Sequence, residues 1–157
     1  VTGFRRGVRL GIDVGKARVG VARSDPDGLL ATPVETVARD DGSIARILAL
    51  GDEHSVFEYV VGLPIGLSGG DTPSTVDARE FASTLAEAST VPVRLVDERL
   101  STVSAHSALR GAGRNQRESR RIVDQVAAVV LLQQALDVEK SSGRPPGTPV
   151  PPAQELA

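Results

Sequence analysis

Val8 to Val14 (VRLGIDV) is an almost continuous apolar run with an aspartate set near its end, and no other segment constrains the fold as much. A run this apolar suits a strand covered on both faces, at the centre of a sheet. Gly15-Lys16-Ala17 then reads as a tight turn, and Arg18 to Arg23 (RVGVAR) alternates towards a second strand, so the two predict an antiparallel hairpin. Asp25-Pro26-Asp27-Gly28 signals a further turn. Leu29 to Val37 predicts a third strand, which Pro33 confines to an edge or a bulge. Strands joined in this way make a meander.

Helix and strand alternate after that. Ser43 to Leu50 (SIARILAL) has helical spacing with Gly51 as its stop, and Phe57 to Leu63 is a short buried strand ended by Pro64. Gly66 to Asp71 is a glycine-rich loop. Thr72-Pro73 opens a helix running to about Ser89, with Thr72 as N-cap and proline at the first helical position. Pro92 to Val96 is another buried strand, leading directly into Asp97-Glu98-Arg99. Thr102 to Leu109 predicts a short helix, and Glu118 to Leu136 the longest one. From Ile122 to Leu132 that helix is apolar on nearly every side, so it is expected to pack between other elements. Ser141 to Ala157 holds five of the ten prolines, and a disordered tail is expected there. The expected organisation is one α/β domain over 1–139 and a Pro-rich tail over 140–157.

Composition narrows the chemistry. The chain has no cysteine and only two histidines, His54 and His106, which excludes disulfide scaffolds, thiolate metal sites and all-imidazole cages. No apolar run approaches the ~18 residues of a membrane span, so a soluble cytoplasmic protein without membrane partners is expected. The net charge of −2 hides a division. Residues 1–23 carry six Arg/Lys against Asp13 alone, and residues 99–121 carry six Arg against Glu118 alone, so each segment is +5. Sixteen of the eighteen basic residues are Arg, whose planar fork suits phosphate contact.

Three carboxylates sit in apolar surroundings: Asp13 at the end of the first strand, Glu98 after the last, and Asp124 inside the long helix. Each has an ordinary explanation, as a turn residue, a partner of Arg99, or a partner of Arg120 or Arg121 one turn back. Yet strand C-termini in a parallel α/β sheet gather along one edge, where ligands bind, and a crossing helix can add a third acid there. Gly11, Gly15, Ala127 and Ala128 are small enough to permit close approach. Oxygen ligands without soft ones point to Mg²⁺ or Mn²⁺. Two such ions roughly 3.5–4 Å apart are an arrangement suited to phosphodiester cleavage. Lys16 and Arg18, Arg99, and Arg120 and Arg121 adjoin the three acids, and Arg110, Arg114 and Arg117 extend the basic surface, all suited to a nucleic-acid backbone.

GIDVGKARVGVA, VVGLP, VDERLST and VDQVAAVVLL, in this order over roughly residues 8 to 137, resemble the RuvX/YqgF family of RNase H-like proteins. That family is associated with Holliday junction resolution and pre-16S ribosomal RNA processing. The resemblance implies an RNase H-like five-stranded mixed sheet, three antiparallel strands and then two parallel ones, flanked by helices. It also implies a metal site at Asp13, Glu98 and Asp124, with Asp97 a lesser candidate. Lys16, Arg18 and Arg99 would hold phosphates and Thr102 would donate a hydrogen bond. Related nucleases often take an acid from the fourth strand. Here that strand ends in Gly62-Leu63-Pro64, so Glu98 must reach across from one strand further away.

The implied activity is a metal-dependent nuclease on branched DNA or precursor rRNA, and junction cutting would call for a homodimer with two sites in register. Two alternatives stay open. One is a nucleic-acid-binding module of the same fold without significant cleavage. The other is a phosphate-loop ATPase of the actin and Hsp70 kind, against which the length argues, since those enzymes close two such lobes over ATP.

Overall fold

The computed structural model describes residues 3–66, 68–98 and 116–151, with the side chains of 116–122 left aside. Its strands are β1 (Arg9–Val14), β2 (Arg18–Ser24), β3 (Ala31–Ala38), β4 (Glu58–Leu63), β5 (Val93–Asp97) and β6 (Thr148–Pro149). Its helices are α1 (Ser43–Glu53), α2 (Pro73–Ala88) and α3 (Gln116–Ser142). They form one sheet in the order β3-β2-β1-β4-β5-β6. The expected meander is present: β1, β2 and β3 pair antiparallel, and β4 and β5 add parallel on the other side of β1. Pro33 lies on the edge strand β3, opposite Ala22, where the register shifts between Val21 and Ala22.

Two expectations change. The sheet has six strands instead of five, because the Pro-rich segment returns along β5. Helix α3 runs on to Ser142, and Gly143 and Gly147, both at positive φ, turn the chain back. Arg94 then donates from Nε to the Pro146 carbonyl at 2.7 Å, and Val150 N–H donates to Val93 at 2.8 Å. Proline is tolerated in β6 because an edge strand has no second neighbour to serve. The other change is Gly51, which does not stop α1. It lies inside the helix because the Tyr59 hydroxyl occupies the place of a side chain. The Thr72 cap forms as expected, as a reciprocal capping box with Thr75.

Alternation divides the sheet into two unlike faces. Leu10, Ile12, Val19, Val21, Tyr59, Val61 and Leu95 point towards α1 and α2 and build the main apolar core. The opposite face lies under α3 and is small, with Ala22 and Val60 packing on Ala128, Leu132, Ala135 and Leu136. Side chains on the outer α3 positions Val126 and Val130 are half-buried, and Val138 is exposed.

Below the small residues, the α3-facing side carries ions. Arg9, Glu58 and Glu139 are each no more than 2% exposed. Arg5 forks onto both Glu58 oxygens at 2.9 Å and reaches Glu139 Oε1 at 2.7 Å, while Arg9 reaches Glu139 Oε2 at 2.9 Å. Phe4 and Phe57 lie under the guanidinium of Arg9, each centroid 4.6 Å away. The first basic segment is thus partly consumed inside the fold: Arg5 and Arg9 are neutralised here, and Arg6 pairs with Asp27 at 2.8 Å. Burial opposes ionisation of Glu139, but its bonds from Arg5 and the charge of Arg9 outweigh that and hold it below the ordinary carboxylate value.

A folded-state pKa below the unfolded value stabilises the protein above the ordinary value of 4.5 and ceases to do so as pH falls. Denaturant titrations should therefore show stability dropping below about pH 4.5, with a smaller drop in Glu139→Gln. Glu139→Ala, which leaves buried Arg9 without its carboxylate, should cost about 3–5 kcal/mol.

Candidate active site

The strand ends bring the first two predicted acids together. β1, β4 and β5 run parallel, so Asp13 and the residue after β5, Glu98, lie on one edge of the sheet. The strand between them is β4. Ile12 pairs with Val61, so the next step of that register sets Gly62 beside Asp13, and Gly62 in turn pairs with Val96 of β5. A methyl group on Gly62 would overlap Glu98 Oε2 and press on Leu131 Cδ2. The Glu98 carboxyl therefore occupies the place of the missing side chain, and this is how it crosses β4 to meet Asp13. The sequence problem of the fourth strand is answered by a glycine, not an acid.

Glu98 is 6% exposed, whereas Asp97 is exposed, so Glu98 is the partner of Asp13. Burial, then the negative charge of Asp13 and a hydrogen bond with it, and then the charge of Asp97, push the Glu98 carboxyl up to about 9. At neutral pH it keeps its proton and donates it to Asp13.

A second glycine places the third acid. Gly20 of β2 is the cross-strand partner of Asp13, and a methyl there would overlap the backbone carbonyl of Asp124. One turn and two turns further along α3, the Ala128 carbonyl and Leu132 Cβ rest on Gly11, as its small size suggested. Gly15 serves differently: a side chain there would meet the Arg18 carbonyl within the turn, so it permits the turn and not the helix. Asp124 thus lies above the strand next to Asp13. Its side chain takes a 2.8 Å bond from Arg18 Nε, while the side chains of Arg120 and Arg121, its partners one turn back in the sequence, lie outside the described residues. Among the described residues, no three His, Cys, Asp or Glu side chains are grouped to hold an ion. Two acids meet, and the third stands one strand away.

The contact of half-buried Asp13 with buried Glu98 fits a hard divalent cation chemically. Two carboxyls in contact cannot both ionise cheaply without a cation between or beside them, and the donors that these two residues offer are oxygens. Lys16 is exposed at the apex of the turn that follows Asp13. Arg99, Thr102, Arg110 and Arg114 lie outside the described residues, and Arg117, Arg120 and Arg121 fall on the first turns of α3. Sequence reasoning missed Gly20 and Gly62. The available signal was a glycine inside each of two apolar strands, which marks a close approach.

Comparison with known proteins bears on this site. The family model RuvX, described as Holliday junction resolvase, matches residues 7–138. A protein of Clavibacter michiganensis subsp. michiganensis named as a candidate pre-16S rRNA nuclease is 59% identical over 151 residues, covering 94% of each chain. One of Streptomyces coelicolor with the same name is 52% identical, covering 92% of this chain and 88% of its own. Among solved structures, Thermus thermophilus RuvC in complex with a Holliday junction substrate aligns with a TM-score of 0.52 at 19% identity, over 88% of this chain and 98% of that one. At that identity the likeness establishes the RNase H-like fold alone.

The acid pair has a measurable cost. In the folded protein Glu98 binds a proton that the unfolded chain releases above 4.5, so without divalent ions stability should fall as pH rises from there towards about 9. Asp13→Asn removes the like charge. Thermal melts in a chelating buffer should show it raising Tm at pH 8 by a few degrees, the shift that about 1 kcal/mol makes at this size, and flattening the pH dependence.

Proposed function

The chain belongs to the RuvX family, and from that membership and the Asp13–Glu98 contact we propose that it is a nuclease cleaving phosphodiester bonds in structured nucleic acid. The observation that carries the reading is the passage of Glu98 over Gly62 to Asp13. A chain selected only for stability would not keep a buried carboxyl in contact with a second one, because their proximity costs free energy unless something else requires it.

Asp13 and Glu98 would hold Mg²⁺ or Mn²⁺, with Asp124 as the third ligand. The ion, when bound, supplies a Lewis acid for water activation and for charge on the leaving oxygen. The residues of the chain do the rest. As a ligand Glu98 would be deprotonated, its proton passing to solvent. Arg18 neutralises Asp124 in the metal-free protein, and with Asp124 serving as a ligand its guanidinium would be available for a phosphate. Lys16 stands at the turn apex, where its ammonium can meet a nucleic-acid backbone. Precursor 16S rRNA is the first substrate to consider, from the name of relatives that are more than half identical over nearly the whole chain. Branched DNA is the second, from the family description. With either substrate the proposed compartment is the cytoplasm.

A second reading, nucleic-acid binding without cleavage, draws on one observation, the engagement of Asp124 by Arg18. Cleavage assays separate the two. With Mn²⁺ or Mg²⁺, wild-type protein should cut a pre-16S rRNA fragment or a four-way junction. Asp13→Asn should lose cleavage while binding in Ca²⁺ is kept, and Gly62→Ala, which displaces Glu98, should cut about 100-fold more slowly. Tight binding by wild type with both substrates left intact would select the binding module, and equal cleavage by Asp13→Asn would sink the carboxylate site.

A further inference from the structure

We infer that Arg39 and Asp77 are positioning residues, a clamp that fixes the Gly15–Arg18 turn so that Lys16 is presented to a nucleic-acid phosphate at the edge carrying Asp13 and Glu98. This deepens the nuclease reading and rests on it.

The turn is closed by Gly15 N–H donating to the Arg18 carbonyl at 2.9 Å. Two of its other carbonyls, those of Gly15 and Ala17, are both taken by one residue. Arg39, immediately after β3, donates its backbone N–H to Ala17 at 3.0 Å and its guanidinium to Gly15 at 2.9 Å. The same guanidinium forks onto both carboxylate oxygens of Asp77 on α2, at 2.9 and 2.8 Å, and lies 4.9 Å from the centroid of Phe81. Asp77, 38 residues away in sequence, thus holds the guanidinium that Arg39 donates to a backbone carbonyl two positions beyond Asp13.

Stability does not account for this arrangement. The pair is part-exposed, at 23% for Arg39 and 36% for Asp77, and ion pairs so placed contribute little to folding. Their effect is geometric. A bidentate fork seated on a ring allows the guanidinium few orientations, and the turn carbonyls inherit that restriction. A turn ordered in advance spares a bound strand the entropy of ordering it. The bond from Arg39, aided by the charge of Lys16, holds the Asp77 carboxyl below its ordinary value, so Asp77 is ionised and attracts Lys16 as well as Arg39.

The test exploits a conflict of signs. Asp77→Asn removes a negative charge beside the basic turn, so simple electrostatics predicts tighter binding of nucleic acid. The clamp predicts weaker binding. A fluorescein-labelled pre-16S rRNA fragment is titrated in Ca²⁺ at several salt concentrations against wild type, Lys16→Ala, Asp77→Asn, Arg39→Lys and the double variant Lys16→Ala/Asp77→Asn. Lys16→Ala should lower the slope of log K against log salt by about 0.7–0.9, the loss of one phosphate contact. Asp77→Asn and Arg39→Lys should lower it towards the same value, and the double variant should lose no more than Lys16→Ala alone. Arg39→Lys keeps the charge, so it reads the fork separately if Asp77→Asn folds poorly. Equal or tighter binding by Asp77→Asn with an unchanged slope overturns the clamp and leaves the nuclease reading standing. An unchanged slope in Lys16→Ala overturns the clamp together with the role of Lys16, and failure of wild type to bind either this RNA or a labelled four-way junction overturns the nuclease reading as well.

Discussion

Helix α3 can settle onto the sheet only where Gly11 and Gly20 carry no side chain, and the rest of the molecule is arranged around that contact. The Asp124 carbonyl touches β2 at Gly20, and the Ala128 carbonyl and Leu132 touch β1 at Gly11. Further along, the helix delivers Glu139 into a buried group with Arg9 and Glu58, where any unmatched charge would be costly. One helix therefore imposes opposite demands on one sheet face. The end near the carboxylates must be small, and the other end must be electrically balanced.

The same logic of absence builds the acid pair. Asp13 is flanked on one side by Gly20 and, by the register of β1 with β4, on the other by Gly62. The first glycine admits the backbone of α3, and the second admits the carboxyl of Glu98. Glu98 takes a buried position that raises its pKa, next to an acid that raises it further. The fold tolerates this because its stability comes from elsewhere, from the apolar layer under α1 and α2. Strain is held where chemistry can use it.

Clustered charge in a sequence is not the same as charge offered to a ligand. Of the basic residues near the N-terminus, Arg5 and Arg9 are internal counter-ions, Arg6 meets Asp27 and Arg18 meets Asp124. Lys16 stays on the surface at a turn apex. What distinguishes it is position, since the turn is tied through Arg39 to α2 and so moves with the body of the domain.

Much was legible in the residues themselves. Val8–Val14, the turns at 15–17 and 25–28 and the Thr72-Pro73 cap each record local physics, so the meander, the alternation of helix and strand, and the acids at strand ends followed from short-range pattern. Asp13 and Glu98 were recognisable for the same reason, as carboxylates in apolar company. The sequence alone was silent where one element answers another. It did not say that Gly62 makes way for Glu98, or that Arg18 engages Asp124 across 106 residues. Nor did it say that a proline-rich segment, too polar to bury itself, gains a partner in the exposed edge of β5. Periodicity reports which face of an element is apolar. Only the packed fold decides which atoms fill a gap, because that depends on residues far apart in the chain competing for one place.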